Sequence, residues 1–334
     1  MRPLRLFGLL LLMSVLLLAL GASVGSTGFE SLLRAARDPV AAQIVWEIRL
    51  PRTLGAWLTG LLLGLAGAVA QGLFRNPLAD PFLLGSASGA SLGVALAMAL
   101  LGTASGLSPV WAWITRLGVT GAAFGGAVLA VLLTLQLARG VQHTLRLLLA
   151  GVIVGVVLGA LKDLLTLAAP DIVPAMLGFN LGSTGFVGWA GCALMAVLGV
   201  LCLLAAWVCA RALDGLSLGE ATAASLGLPL ARMRVVLVAV LALATGTAVA
   251  QTGLIAFVGL AAPHLVRSIV KTTHGRLVLL AACMGGLLLM AADILARWLV
   301  APQELPVGVL TAVLGGSYLL WLMHRRTRGG GGLA

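Results

Sequence analysis

Few residues in this 334-residue chain could do chemistry, and their spacing excludes most of it. The four histidines, His143, His264, His274 and His324, are scattered, with no HExxH pair to hold zinc on one helix face. The four cysteines, Cys192, Cys202, Cys209 and Cys283, lie in apolar runs without CxxC spacing, so neither a disulfide nor a metal site is expected. A GxxxxGK[ST] phosphate loop is missing, because Lys271-Thr272 follows Val270 where the motif needs glycine. No GxSxG elbow with triad partners stands out. The chain therefore carries no P-loop for ATP hydrolysis and no constellation that supports an enzyme.

What remains is charge in costly places. Lys162 and Asp163 sit inside an apolar run, where an ionised group costs roughly 2.5–3.5 kcal/mol on insertion scales. Adjacent helical residues do not share a face, so separate partners are expected for the two. They serve either as an interhelix contact or as a proton or ion relay. Asp293 and Arg297 stand at i, i+4, a spacing that permits an intrahelical ion pair and leaves a docking role for Arg297 as the alternative. A further oddity is the quartet AVAQ, which ends at Gln71 and again at Gln251. Each copy closes an apolar run and is followed by Gly-Leu, then by a polar stretch with proline, "RNPLADP" or "APHLVR".

These residues must be positioned by a membrane scaffold. Hydrophobic residues make up 61% of the chain and charged residues 9%, and mean hydropathy is +1.13, whereas soluble domains carry about 25% charged residues. The predicted fold is all-α, a single polytopic domain over residues 1–334. A crossing needs about 20 apolar residues. Spans are predicted at 5–23, 54–74, 83–102, 118–138, 145–168, 189–210, 234–252, 256–271, 277–299 and 307–324, about ten transmembrane helices. The eighth is short and interrupted by Pro263, His264 and Arg267. The first resembles a signal peptide in its "ALGAS" end, but its apolar length favours a retained helix.

With the N-terminus inside, 14 lysines and arginines fall on inner loops and six on outer ones, which agrees with the positive-inside rule. Both termini are then cytoplasmic, and the net charge of +11 needs no nucleic acid to explain it. The first AVAQ ends span two running inward, and the second ends span seven running outward. That is the arrangement of an inverted repeat, spans 2–5 against 7–10.

The longest inner loop, 211–233, contains Ser217 and Glu220 in S-x-x-E spacing, read as a capping box. A short helix is expected from Leu218 through Gly219, Ala221 and Leu226, closed by Gly227, and such a helix suits a soluble partner. Glycine pairs Gly60/Gly64, Gly151/Gly155 and Gly155/Gly159 offer close helix approach.

The segments "IRLPRTLGAWLTGLLLGLAGAVAQGLFRNPLADPFLLGSASGASLG", "LSLGEATAASLGLPL", "GLIAFVGLAAPHLVRSIVKTTHGRLV" and "ADILARWLVAPQELPVGVLTAVLGG" resemble the FecCD family of binding-protein-dependent ABC transporter permeases. The resemblance covers essentially the whole chain. It implies a bacterial inner-membrane homodimer with its path at the two-fold axis, two cytoplasmic ATP-binding subunits that hold ATP-Mg, and a periplasmic substrate-binding protein. No cofactor is expected on this chain. It implies ATPase coupling through Ser217, Leu218, Gly219, Glu220, Ala221, Leu226 and Gly227, and docking of the binding protein on Arg49, Arg52 and Arg297. Gln71, Asn76, Pro77, Gln251, Pro263 and His264 are expected at helix breaks or along the path. The expected cargo is an iron chelate, a ferric siderophore or haem, with cobalamin as the alternative. The stretch "PAMLGFNLGSTGFVGW" departs from the family pattern and does not choose among them. From another class, an ion-gradient-driven transporter would use Lys162 and Asp163 as its relay.

Overall fold

A computed structural model describes residues 2–25, 28–29, 38–101, 109–138 and 144–329. Arg34, Arg37 and Arg139, used in the charge count, lie outside the described residues, as does His143. The helices are α1 (Pro3–Ser23), α2 (Pro39–Ile44), α3 (Leu50–Leu73), α4 (Ser86–Leu101), α5 (Pro109–Leu137), α6 (Thr144–Ala168), α7 (Val173–Leu181), α8 (Trp189–Val208), α9 (Ala210–Ser217), α10 (Glu220–Ser225), α11 (Leu230–Thr252), α12 (Val258–Ile269), α13 (His274–Trp298) and α14 (Val307–Gly329). A two-residue antiparallel ladder, Val24–Gly25 with Gly28–Phe29, follows α1. Seven of the described helices are long and apolar enough to cross a membrane; α4 and the apolar part of α14 are shorter, and α12 has 12 residues. Each predicted span corresponds to one of these ten.

The sequence reading starts the second span at 54, but α3 begins at Leu50 and continues α2 through a π-helical turn, Val45–Arg49. Arg52 lies inside the helix because its charge is paired, which hydropathy cannot register. Helices α2, α7 and α9 are additional elements, too short to form spans.

Helix α3 is the centre of the bundle, with 20 of its 24 residues buried, whereas much of α6 is exposed. Its glycines explain this. A Cβ on Gly60 would run into the Gly285 carbonyl of α13, one on Gly285 into Gly60, and one on Gly64 into Ala281. The two backbones therefore touch directly, as small-residue seams allow. The other predicted pairs behave differently: Gly151 meets Leu83, while a Cβ on Gly159 would meet nothing. At one edge, α1 packs against α13 through Leu6 and Leu10 and donates a partner to α3, where Trp57 Nε1 bonds Ser14 Oγ at 3.0 Å.

The repeat is visible as a pattern that occurs twice in opposite directions. A long helix (α3 or α11) is followed by a non-helical break and then by a short helix (α4 or α12). Helix α3 packs on α12 and α13, and α11 packs reciprocally on α4 and α5. The first break meets the start of α12 inside the bundle, where Pro81 lies against Gly259. Irregular backbone is tolerated at such depth only when protein satisfies it. Here Leu254 N–H donates to Phe179 O at 3.0 Å, and Ser183 N–H to Thr252 O at 2.8 Å. In the first break Asp80 caps the turn Pro81–Leu84 by accepting from Phe82 N–H at 2.8 Å. Pro263 lies within α12 and has no N–H for the Gly259 carbonyl four residues earlier. That carbonyl instead sits on Gly67 of α3, where a Cβ would overlap it.

Candidate functional site

Two polar clusters lie at opposite ends of the antiparallel pair α3 and α13. At one end, Asp293 is fully buried on α13. Its Oδ1 accepts from Arg52 Nε and Nη2 at 3.3 and 3.2 Å and from the Thr184 hydroxyl, and its Oδ2 accepts from Arg297 Nη2 at 2.6 Å. Arg52 Nη1 also donates to Glu304 at 2.7 Å. Arg297 makes further bonds to Gly21 O, Val24 O, Thr53 Oγ1 and its own helix at Asp293 O. One carboxylate thus ties α3, α13 and the segment after α7 together, and Arg297 adds α1 through Gly21 O.

This arrangement corrects the docking expectation for Arg297. The side chain is 1% exposed, and its five N–H donors face five protein acceptors. It cannot also face a soluble protein. A cation that deep must be matched by an anion and hydrogen bonds, and the i, i+4 spacing supplies the anion. Arg49 and Arg52 are also buried, at 6% and 8%. Arg52 reaches the rim through Glu304, whose side chain is 32% exposed.

At the other end, α9 and α10 form a helical hairpin rooted by the buried Leu213 and Leu216. The capping box does not form. Ser217 is the last residue of α9 and donates to Asp214 O at 2.6 Å, while Gly219, at φ +108°, stands before α10. Glu220 does not reach back, because Arg234 Nη2 holds it at 2.7 Å, with Arg75 Nη2 at 4.0 Å. A neighbouring cation outcompetes a bond to its own backbone. The helix is accordingly Glu220–Ser225, shorter than the expected stretch. Gly227 does close it, at φ +74°: Gly227 N–H donates to Ala224 O and Leu228 N–H to Ala223 O, a Schellman pair. Leu218 and Leu226 are 66% and 63% exposed on this hairpin, and Ala221 is exposed beside them.

The break residues have separate surroundings. Gln71 is buried and links α3 to α12, donating to Leu260 O at 3.1 Å and accepting from Arg267 Nη1. Gln251 is half-buried near the end of α11, its amide oxygen over Gly191. Asn76 and Pro77 are exposed in the turn after α3, where Asn76 accepts from Leu78 N–H at 2.9 Å. Pro263 is buried, and the neighbouring His264 packs edge-on against Tyr318. Gln71 and Gln251 thus lie near the ends of α3 and α11, Asn76 and Pro77 in the first break, and Pro263 and His264 within α12, so the six are not gathered into one site.

Lys162 and Asp163 do pair, at 2.7 Å, contrary to the expectation of separate partners. The long lysine chain curls back to its neighbour although their helical directions differ. Among the described residues no cluster of three His, Cys, Asp or Glu could hold a metal ion, and the four cysteines are free and buried.

Sequence reasoning missed Thr184, Glu304 and the pair Asp214–His274. Asp214 Oδ1 accepts from His274 N–H at 3.0 Å and contacts His274 Nδ1 at 2.7 Å. The available signal was a polar residue, His274, three positions ahead of the long apolar run that starts at Leu277.

Broken helices that begin inside an inverted bundle, with a helical hairpin at one end, define a multi-pass membrane permease. The FecCD transport family model matches residues 9–325, and the chain belongs to this family. It is 41% identical over 294 residues to the vitamin B12 import system permease protein BtuC of Escherichia coli O157:H7, covering 87% of this chain and 86% of that protein. The Klebsiella pneumoniae BtuC is 42% identical over 293 residues, covering 86% and 84%. Among solved structures, a metal-chelate type ABC transporter in an inward-facing conformation superposes with a TM-score of 0.85 at 28% identity, covering 97% of this chain and all of that one. The chain is thus an ABC importer permease of the FecCD family.

Proposed function

We infer that this chain is the membrane subunit of a binding-protein-dependent importer of a metal chelate, with cobalamin as the cargo. The relatives at 41–42% identity are vitamin B12 permeases, and this favours cobalamin over the iron chelates expected from the sequence. A ferric siderophore or haem remains the second reading, favoured by the metal-chelate class of the superposed structure. In this reading two copies of the chain form the path in a bacterial inner membrane, with both termini cytoplasmic. Two ATP-binding subunits dock on the hairpin, and a periplasmic binding protein docks at the arginine end. There, partner carboxylates exchange with Glu304 for Arg52 and approach Arg49. The permease does no covalent chemistry; it alternates access while its partners hydrolyse ATP.

The observation that carries this reading is the hairpin, whose glycine-closed helix holds Leu218 and Leu226 out to solvent. Exposed leucines on an ordered, rooted element suit a partner's cleft. Combining Glu220→Arg with Gly227→Leu sets like charges together at Arg234 and forces a side chain into a left-handed position. ATPase co-purification with the tagged chain is expected to fall at least tenfold; unchanged co-purification would remove the hairpin from the coupling role. Cargo is tested on the binding protein recovered with the complex. Titration with cobalamin, ferric siderophores and haem should give saturable quenching with cobalamin alone, and saturation by haem or a siderophore instead would overturn that assignment.

A further inference from the structure

The hairpin has two ionic roots, and they lead to different helices. Glu220 holds Arg234 near the start of α11. Asp214 holds the start of α13, accepting from both the backbone N–H and Nδ1 of His274. A carboxylate at a helix N-terminus is favoured by the unsatisfied N–H groups and the helix dipole there. The His274 ring is wedged at a three-way contact: a Cβ on Gly72, near the end of α3, would lie 3.1 Å from both His274 and Leu213. Hairpin, α3 and α13 therefore meet at one imidazole.

Helix α13 continues from His274 without a proline. It reaches Asp293 nineteen residues later, about 29 Å away at 1.5 Å per residue. On the way it lies against α3 through Gly285 and Gly286. At its far end Asp293 and Arg297 hold α1, α3 and Thr184. An uninterrupted helix gripped by the hairpin at one end, and gripping three segments at the other, couples the two ends.

We propose that Asp214 and His274 are positioning residues for transport. They form the joint that passes movement of the hairpin to α13 and, along it, to the Asp293 cluster. The proposal rests on the reading of the hairpin as the ATPase dock, and goes beyond it by naming the helix that carries the movement and the bond that engages it. The Glu220 root acts on α11 and is separate.

The test uses the complex recovered from native membranes by a tag on this chain and reconstituted in liposomes. Gln303, exposed in the loop between α13 and α14, is changed to cysteine as a reporter for a membrane-impermeant maleimide. The four native cysteines are buried and give little background. With Asp214→Ala, the ATPase should still co-purify, while ATP no longer alters labelling of the Gln303→Cys thiol. Uptake of labelled cobalamin per ATP hydrolysed should fall about tenfold, in the usual range of coupling between sites. Asp214→Asn keeps an oxygen that accepts both bonds, and should restore uptake per ATP to within about twofold. A merely structural cap would lower yield without separating hydrolysis from labelling. Retained ATP-dependent labelling in Asp214→Ala overturns the joint, and so does an equal loss in Asp214→Asn. If the unaltered chain brings down no ATPase, the dock itself fails and the joint falls with it. Loss of the joint with the ATPase still bound condemns only the joint.

Discussion

Asp293→Ala is expected to be the most damaging single change at the arginine end. The aspartate is fully buried and is the shared acceptor for Arg52, Arg297 and Thr184. Its removal leaves two guanidinium groups facing each other without their common anion. Breaking a buried pair by deleting one partner costs about 3–5 kcal/mol, because the remaining charge stays desolvated. Here two remain. Thermal unfolding of the purified chain in mild detergent should show a lowered midpoint and a reduced folded yield. Asp293→Asn keeps a carbonyl acceptor and should fall between. Glu304→Ala is the contrasting case: Glu304 is 32% exposed and touches only the outer nitrogen of Arg52. Partly exposed pairs contribute about 0–1 kcal/mol, so its midpoint should stay close to that of the unaltered chain. Equal midpoints for the two alanine variants would show that Asp293 does not organise this end.

Gly67→Val should be nearly as disruptive, for a steric reason. A Cβ on Gly67 would overlap the Gly259 carbonyl. The obstacle is backbone and cannot rotate away, and α3 is enclosed by other helices. Overpacking typically costs about 1–3 kcal/mol and more where nothing can yield. The expected result is loss of folded chain on solubilisation, with Gly67→Ala already impaired. Gly159→Ala is the control. It lies in an open position on α6, so exchanging glycine for alanine should stabilise the helix by up to about 1 kcal/mol. If size-exclusion profiles and unfolding midpoints of Gly67→Ala and Gly159→Ala coincide, the close crossing of α3 and α12 is wrong.

The spans were legible because burial in lipid imposes a local rule: about 20 apolar residues must be consecutive. Even the weakest span was marked by its own residues, with Pro263 and Arg267 signalling a short helix. The repeated AVAQ likewise lies near two helix ends, those of α3 and α11. Partners were not legible, since they are chosen across the fold. Arg297 read as an outer charge, but its five bonds come from α1, the strand after it, α3 and α13. Ser217 and Glu220 had the spacing of a capping box, yet Arg234, from another helix, claimed the carboxylate. Lys162 and Asp163 erred in the opposite direction, since side-chain length defeated a rule about helical faces. Asp214 and His274 are sixty residues apart and carried no shared motif.

The meeting of Pro81 with Gly259 bears on how the chain must be made. The first break lies against the start of α12, so the seat for Pro81 does not exist until residues near 259 have entered the membrane. Until then α4 begins beside a turn whose polar backbone has no protein cover on that side. The amino-terminal half must therefore wait, inserted but unfinished, for its counterpart to emerge from the ribosome. A chain halted between α8 and α11 would present quality-control proteases with an open polar seam, and separately expressed halves could mature only by finding one another in the bilayer.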